Sequence, residues 1–287
     1  MRLLWCLRAE MTKLWRQRLP WVGLGLAVGV AVLAAWMNAE VVPELRGAAA
    51  VPRNAFRFFA IGLRYGIAMG GFFLVLVAGL MVAAETGQGT LKMVLVRPVK
   101  RTEVFLAKVL TVFQYALVLL LAVSLSAALV AGACPGSDFG AVIDPEYADP
   151  LHPYIYSDAA EMWGHLLRAV ALLVLPLAAA AVVGLTVSVL VENPGVASGT
   201  AVVAFLGLEI VKVFLERRPA LQYLFNNYLP SIVDNSYVRV LQGASEGLTD
   251  AFWPAGLWWW NVWVPLGTAG ALLIGSLLLF ERKAILT

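Results

Sequence analysis

The chain has 287 residues, of which 61% are hydrophobic and only 14% are charged, and its mean hydropathy is +0.82. Soluble domains are about half apolar and about a quarter charged, so this composition excludes a soluble globular protein and a disordered one. The net charge of +3 is too small to indicate a nucleic-acid partner. The chain is therefore better divided into membrane spans of about 20 apolar residues than into soluble domains.

Residues 1–19 carry a helical pattern ahead of the first apolar run. Leu4, Leu7, Met11, Leu14 and Leu19 recur at helical spacing, and most of the arginines lie off that stripe. The pattern predicts an amphipathic interfacial helix that leads into the first span, rather than a cleavable signal peptide. A merely basic start that anchors the topology is the alternative interpretation.

Six long apolar runs follow, and each predicts a helix, because a backbone inside lipid must satisfy its polar groups internally. They cover residues 20–37, 64–84, 107–133, 166–191, 196–215 and 256–280. The predicted fold is an all-α polytopic membrane protein with six transmembrane helices in one domain, residues 1–287. Pro and Gly within residues 192–195 predict a hairpin between the fourth and fifth spans. The predicted exterior segments are 134–165, which is acidic, and 216–255, with short amphipathic or re-entrant helices.

Basic residues are concentrated in the N-terminal segment, the loop after the second span and the C-terminal tail. Six spans place all three on one side, and the positive-inside rule makes that side cytoplasmic. The arginines between the first and second spans disagree with this orientation; they are Arg46, Arg53, Arg57 and Arg64. Since Phe56, Phe59 and Leu63 share a helical face there, we interpret the segment as an interfacial helix whose basic side chains reach water.

The sequence contains no phosphate-binding loop, no zinc-protease motif and no nucleophile elbow, so no catalytic, metal or cofactor site is predicted in this chain. His152 and His165 match no metal-binding spacing, and a solvated acidic loop is the better interpretation of the first. Glu209 and Lys212 lie one turn apart in the fifth span. They are expected to form a local ion pair, and a gate or substrate path is the alternative.

The loop of residues 85–103 is the most informative part of the sequence. Its centre, residues 90–96, predicts a short amphipathic helix that Pro98 ends. Leu91 and Leu95 share the apolar face of that helix. A short helix that projects from a membrane domain suits docking in a cleft of a soluble partner, whereas lying on the lipid surface is the alternative.

The spacing E-x-G-x-G-T-L-K-x-x-L-x-R-P-V-x-R-x-E-x-x-x-x-K resembles the first cytoplasmic loop of bacterial ABC-2 type permeases. It is carried by Glu85, Gly87, Gly89, Thr90, Leu91, Lys92, Leu95, Arg97, Pro98, Val99, Arg101, Glu103 and Lys108. The opening segment, with Glu10, Lys13 and Arg16, and the tail at residues 280–285 also resemble that family.

The resemblance implies the transmembrane permease subunit of an ATP-binding-cassette exporter, in the inner membrane, with both termini cytoplasmic. Such a chain is not itself an enzyme, because two copies of a separate ATPase subunit would bind ATP and Mg. A second permease chain would complete a homodimer or heterodimer, and the fifth span and the segment after it would line the dimer interface and outer gate. An ion-coupled secondary carrier and a membrane anchor or scaffold of an enzyme complex are the alternatives.

The resemblance also assigns the surface that contacts the ATPase. It implies that this surface combines the interfacial helix, with Glu10, Lys13 and Arg16, and the loop after the second span. The loop residues concerned are Glu85, Gly89, Thr90, Leu91, Lys92, Leu95, Arg97, Pro98 and Arg101.

Overall fold

The computed structural model describes residues 2–46, 54–88, 100–134, 136–143, 155–247 and 256–283. Its helices are α1 (Arg2–Arg16), α2 (Arg18–Arg46), α3 (Ala55–Leu80), α4 (Ala83–Gly87), α5 (Arg101–Ala133), α6 (Ala159–Leu190), α7 (Pro194–Leu215), α8 (Tyr237–Ser245) and α9 (Leu257–Lys283). Two 3₁₀ turns, Pro219–Tyr223 and Phe225–Tyr228, lie between α7 and α8. Strands β1 (Val142–Ile143) and β2 (Ile155–Ser157) form a small antiparallel pair.

Six helical segments of the described chain are long and apolar enough to cross a membrane. They are Arg18–Glu40, Ala55–Gly87, Arg101–Ala133, Ala159–Leu190, Pro194–Leu215 and Leu257–Arg282. The prediction of an all-α polytopic fold with six spans is confirmed. A separate helix, α1, precedes the first span; its position on the membrane surface stays a prediction.

Helix α3 lies at the centre of the bundle, where it contacts α2, α5, α6 and α7. Close approach is possible because small residues meet at the crossings. Ala27, Ala31, Ala35 and Ala39 of α2 are all fully buried at four-residue spacing. They face glycines of α3: a Cβ built at Gly66 would come within 2.7 Å of the Ala31 Cβ. Small residues at four-residue spacing let two backbones pack tightly inside a membrane.

A break in the second span separates α3 from α4 at Met81 and Val82. A break frees backbone groups that need partners inside the bundle. The hydroxyl of Ser188 in α6 accepts from the backbone N–H groups of Val82 and Ala83, both at 2.9 Å. The carbonyl of Met81 accepts from the ammonium of Lys108 at 3.0 Å. Side chains from two other spans therefore stabilise the break.

The fourth and fifth spans, α6 and α7, are joined by residues 191–193 and pack against each other, which confirms the predicted hairpin. Asn193 caps α7, because its side-chain oxygen accepts from the backbone N–H groups of Gly195 and Val196 at 3.0 and 3.2 Å. Pro194 occupies the first helical turn, where a missing N–H is tolerated.

The arginines between the first two spans do not behave as predicted. Arg57 and Arg64 belong to α3 and point into the protein, so their interpretation as residues that reach water from an interfacial helix is wrong. Arg57 Nε lies 3.2 Å from Glu246, and Arg64 Nη2 lies 3.0 Å from Asp234. The reason is tertiary, because the acidic partners follow 189 and 170 residues later in the chain. Arg53 lies outside the described residues, and so do the side-chain contacts of Arg46.

The segment between α7 and α9 folds back over the end of the bundle that carries these arginines. Helix α8 packs against α6 and α3 through Val238 and Leu241, which are fully buried. Asn54, the N-cap of α3, donates to the carbonyl of Ser245 at 2.8 Å. The predicted short helices are present here as the two 3₁₀ turns and α8.

Candidate functional site

Four charged side chains from three helical segments, Glu10, Lys13, Glu85 and Lys108, form what we call the charge ring. The ammonium of Lys13 lies 2.7 Å from Glu10 Oε1 and 2.7 Å from Glu85 Oε1. The ammonium of Lys108 binds the other two oxygens, at 2.9 Å for Glu10 Oε2 and 2.7 Å for Glu85 Oε2. Each carboxylate therefore meets both ammonium groups, and the two positive charges balance the two negative ones.

Most of the charge ring is withdrawn from water. The Lys108 side chain is fully buried, and those of Glu10 and Glu85 are only 7% and 13% exposed. Lysine has three donors, and Lys108 directs them to two carboxylates and the carbonyl of Met81. A buried charge is tolerated only when it is paired and hydrogen-bonded, and Lys108 meets both conditions.

Lys13 is the member of the ring that water reaches, with 48% of its side chain exposed. Partial burial alone lowers the pKa of its ammonium, but the hydrogen bonds to Glu10 and Glu85 outweigh burial and raise this pKa above the ordinary value. Lys13 therefore stays protonated at neutral pH and keeps both carboxylates bridged.

The charge ring lies at both ends of the loop that carries the family resemblance. Glu85 in α4 begins that pattern and binds Lys13 of α1, whereas Lys108 in α5 ends the pattern and binds Glu10 of α1. Residues 89–99 of the loop lie outside the described residues. That gap contains seven of the predicted contact residues: Gly89, Thr90, Leu91, Lys92, Leu95, Arg97 and Pro98. The predicted helix at 90–96 therefore stays a prediction.

The remaining predicted residues of this region lie beside the ring. A guanidinium nitrogen of Arg101 donates to the carbonyl of Glu281 in α9 at 3.5 Å. The Glu103 carboxylate accepts from the backbone N–H of Lys100 at 3.1 Å and so caps α5. Arg16 is exposed in the last turn of α1. The N-terminal helix, the start of α5 and the end of α9 thus meet at one end of the bundle.

Glu209 and Lys212 form an ion pair toward the opposite end, with Lys212 Nζ 2.8 Å from Glu209 Oε2. Lys212 is fully buried, and its ammonium also donates to the carbonyl of Asn226 at 2.8 Å and the hydroxyl of Ser231 at 2.7 Å. The pair therefore ties α7 to the segment that follows it, which spacing along one helix does not predict.

Sequence reasoning missed that the spans contain fully buried charge. Lys108 was recognised only as the last position of the loop pattern, yet it is the member of the ring with no exposed surface. A signal was available, because a lysine inside an apolar run is costly and marks a functional position by default. No comparable signal identifies Ser188, since a serine in a span is common and unremarkable.

The histidines and cysteines form no site in the described part of the chain. His165 is buried and its ring stacks on Tyr237 with centroids 6.1 Å apart, while His152 lies outside the described residues. Among the described residues, no three His, Cys, Asp or Glu side chains are grouped so as to hold a metal ion. Neither Cys6 nor Cys134 forms a disulfide.

Residues 6–143 match the family model described as ABC-2 family transporter protein. Over these residues the chain is similar to the ABC-2 transporter family. The match covers slightly less than half of the chain, takes in the first three spans and contains all four residues of the charge ring. No curated protein matches the chain at a significant level.

The ABC-2 match confirms the resemblance seen in the loop pattern and gives the six spans a biochemical context. ABC-2 membrane domains are permease components of ABC transporters, which typically work with an ATPase subunit. The chain is accordingly a multi-pass membrane protein with an ABC-2 permease domain. Its charge ring lies within that domain, at the ends of the loop between the second and third spans.

Proposed function

We propose that this chain is the permease subunit of an ABC exporter, driven by a separate ATPase that docks at the end of the bundle with the charge ring. Two ATPase copies and a second permease chain, identical or related, complete the transporter. ATP and Mg are bound by the ATPase. The chain lies in the inner membrane with both termini on the cytoplasmic side, where the three basic segments would meet.

The charge ring is the observation that carries this proposal. A partner that moves the loop between α4 and α5 pulls on Glu85 at one end and on the start of α5 at the other. Both ends are tied to α1 through short ion pairs, Glu85 to Lys13 and Lys108 to Glu10. A displacement of the loop is therefore transmitted to the second and third spans and to α1 together. Chains of ion pairs and packed segments of this kind carry energetic coupling between distant sites.

The fifth span is also within reach of the loop. Gly87, at the end of α4, approaches the turn before α7 so closely that a Cβ there would meet the carbonyl oxygen of Glu192 at 3.0 Å. The end of the second span thus presses on the start of the fifth. We propose that loop movement reaches α7 by this contact and changes the outer end of the bundle.

Within the loop, we assign Leu91 and Leu95 to the apolar face that enters the ATPase. Thr90, Lys92, Arg97 and Arg101 surround that face, and Gly89 and Pro98 bound the short helix. Glu85 positions the loop through the ring. On the interfacial helix, Glu10 and Lys13 act through the ring, while the exposed Arg16 is available to the partner.

Co-purification tests the proposal. The tagged chain is extracted gently from its native membrane, and the bound proteins are identified and quantified. We expect an ATPase subunit in stoichiometric amount, and we expect the double variant Leu91→Asp/Leu95→Asp to lose it, because charge on the apolar face prevents docking.

A matched control is the double variant Ile143→Asp/Ile155→Asp, which alters two half-exposed residues paired in the small sheet. These residues lie on the exterior side in the proposed topology, so this variant should retain the ATPase. Loss of the ATPase from both variants would indicate general damage rather than a docking site. A chain that binds no ATPase and transports alone under an ion gradient would replace the proposal with a secondary carrier.

A further inference from the structure

A cavity of about 500 Å³ lies beside the fifth span, apart from the charge ring. Its walls come from α2, α3 and α7, and residues 229–231 form its roof. It is partly open, and Tyr65 and Leu206 at its lining are about half exposed. Glu209 follows the start of α7 by 15 residues, or about 22 Å of helix, which places the cavity near the end opposite the ring.

The cavity has the size and lining of a small-molecule site. Such sites measure roughly 300–1,000 Å³ and combine apolar walls with a few polar groups. Here the walls are mostly apolar, with Ile67, Met69, Phe72 and Phe205 among them. Among the described residues that line the cavity, Glu209 is the only charged one.

The chemistry at Glu209 decides what kind of head group fits. One carboxylate oxygen binds Lys212 at 2.8 Å and the other accepts from the Asn226 amide at 3.2 Å. A carboxylate has about four acceptor positions, so capacity remains for a ligand that donates a hydrogen bond. The side chain is 23% exposed, whereas Lys212 behind it is only 1% exposed. The ligand therefore meets the acid and not the base.

The roof is fastened to the helices that form the walls. Arg64 of α3 donates to the carbonyl of Ser231 at 3.1 Å, and Lys212 of α7 donates to its hydroxyl at 2.7 Å. The roof carbonyl and hydroxyl are thus engaged by cations of the protein, while Glu209 faces the space below.

We propose that this cavity binds an amphipathic molecule whose apolar body lies against the walls and whose head, a hydroxyl or an ammonium, donates to Glu209. An anionic head is disfavoured, because the charged residue in the described lining of the cavity is itself a carboxylate, Glu209. This inference deepens the proposed function by naming the substrate class. Binding itself requires no ATPase, so it is measured independently of that function.

The experiment uses the full chain in lipid nanodiscs and three dodecyl probes that carry the same diazirine on the chain. The probes end in a primary ammonium, a hydroxyl or a carboxylate. After illumination, labelled peptides are quantified by mass spectrometry. We expect the ammonium or hydroxyl probe to label the peptides that contain Met69 and Leu206, and the carboxylate probe to label them roughly tenfold less.

Two pairs of variants locate the site. Gly71 lies in the lining, and a Cβ there would come no nearer than 3.8 Å to Phe205, so Gly71→Leu fills the cavity without a clash at its first atom. Gly267→Leu adds the same side chain at an open, exposed position of α9. Glu209→Gln removes the charge, and the double variant Glu209→Gln/Lys212→Met does so without leaving a buried lysine unpaired.

Labelling that falls in Gly71→Leu, persists in Gly267→Leu and loses its head-group preference in both Glu209 variants supports the proposal. Preference for one of the two donating heads then identifies the substrate head. Equal labelling by all three probes would show that the cavity holds only surrounding lipid chains, and would overturn it. Labelling that is unchanged in the Gly71→Leu variant would also overturn the proposal. Neither result depends on whether an ATPase co-purifies.

Discussion

Replacement of Lys108 by methionine is the most direct test of the charge ring. The change keeps much of the side-chain length but removes the fully buried ammonium, its two ion pairs and its hydrogen bond to Met81. Glu10 and Glu85 then share only Lys13, and the ring carries a net negative charge. Two buried carboxylates with one common partner repel each other.

The magnitude follows from the geometry. Lys108 lies 2.9 Å from one carboxylate oxygen and 2.7 Å from the other, so these oxygens are at most 5.6 Å apart. At an effective dielectric constant of about 20, two charges at that separation repel by about 3 kcal/mol. Breaking a buried ion pair by removing one partner destabilises by about 3–5 kcal/mol. We therefore expect the free energy of unfolding to fall by about 3–5 kcal/mol.

Thermal unfolding of the purified chain, followed by the fluorescence of its ten tryptophans, measures this loss. A chain of this size shifts by about 2 °C for each kcal/mol, so Lys108→Met should lower the Tm by about 6–10 °C. The control Lys100→Met removes an exposed lysine at the N-cap of α5 and should shift the Tm by no more than about 2 °C.

The double variant Lys108→Met/Glu85→Gln distinguishes repulsion from a simple loss of packing. It removes one acid together with one base, so it should be more stable than the two single effects predict, by about 1–3 kcal/mol. Strictly additive effects would refute the ring as a coupled unit. A Tm for Lys108→Met within about 2 °C of the unaltered chain would refute the calculation itself.

Three further predictions concern replacements of single residues. Gly184→Ala should lower the free energy of unfolding by about 1–3 kcal/mol, because the added Cβ would meet the carbonyl oxygen of Val75 at 2.6 Å. A thermal unfolding assay compares this variant with Gly267→Ala, which adds the same Cβ at an open position. Ser188→Ala should cost about 1–2 kcal/mol and speed amide hydrogen exchange at residues 82–83, whose N–H groups lose their acceptor. Lys13→Met should lower the Tm equally at pH 7 and pH 9. The folded-state pKa of Lys13 is raised, so the contribution of its charge to stability is complete below the unfolded pKa of about 10.4 and is lost as the pH rises above it. The difference in Tm between the unaltered chain and Lys13→Met should therefore narrow above that pH.

Each of these three has an outcome that contradicts it. A Gly184→Ala variant as stable as Gly267→Ala would mean that α3 and α6 separate without penalty. Unchanged exchange in Ser188→Ala would mean that the break between α3 and α4 has another acceptor. A Tm difference for Lys13→Met that already narrows between pH 7 and pH 9 would contradict a raised pKa.

How the outer ends of the spans are arranged was less predictable than the spans themselves. The sequence correctly indicated a hairpin at residues 192–195 and short helices after the fifth span, because Pro, Gly and composition act locally. It placed Arg57 and Arg64 in water, because their acidic partners lie far along the chain. Positive charges on the predicted exterior side were in fact a sign of acidic partners within the fold, Asp234 and Glu246.

The candidate site divides in the same way. The loop pattern brought Glu85 and Lys108 to attention, and the opening segment brought Glu10 and Lys13, all as separate positions of a family resemblance. That they form one ring, with Lys108 at its buried side, depends on three segments that meet only in the folded bundle. Likewise, periodicity placed Glu209 and Lys212 on one helix face, whereas the cavity before Glu209 exists only because α2, α3 and the roof enclose it.

The sequence by itself determined the membrane-spanning class, the six helices and the position of the loop between the second and third spans. These follow from composition and from hydrogen bonding within each helix, which lipid enforces on every segment alone. Tertiary structure alone decided which buried charges are paired, because an ion pair joins atoms rather than sequence positions. The two networks at opposite ends of the bundle, from which coupling and ligand binding are proposed, are products of that packing.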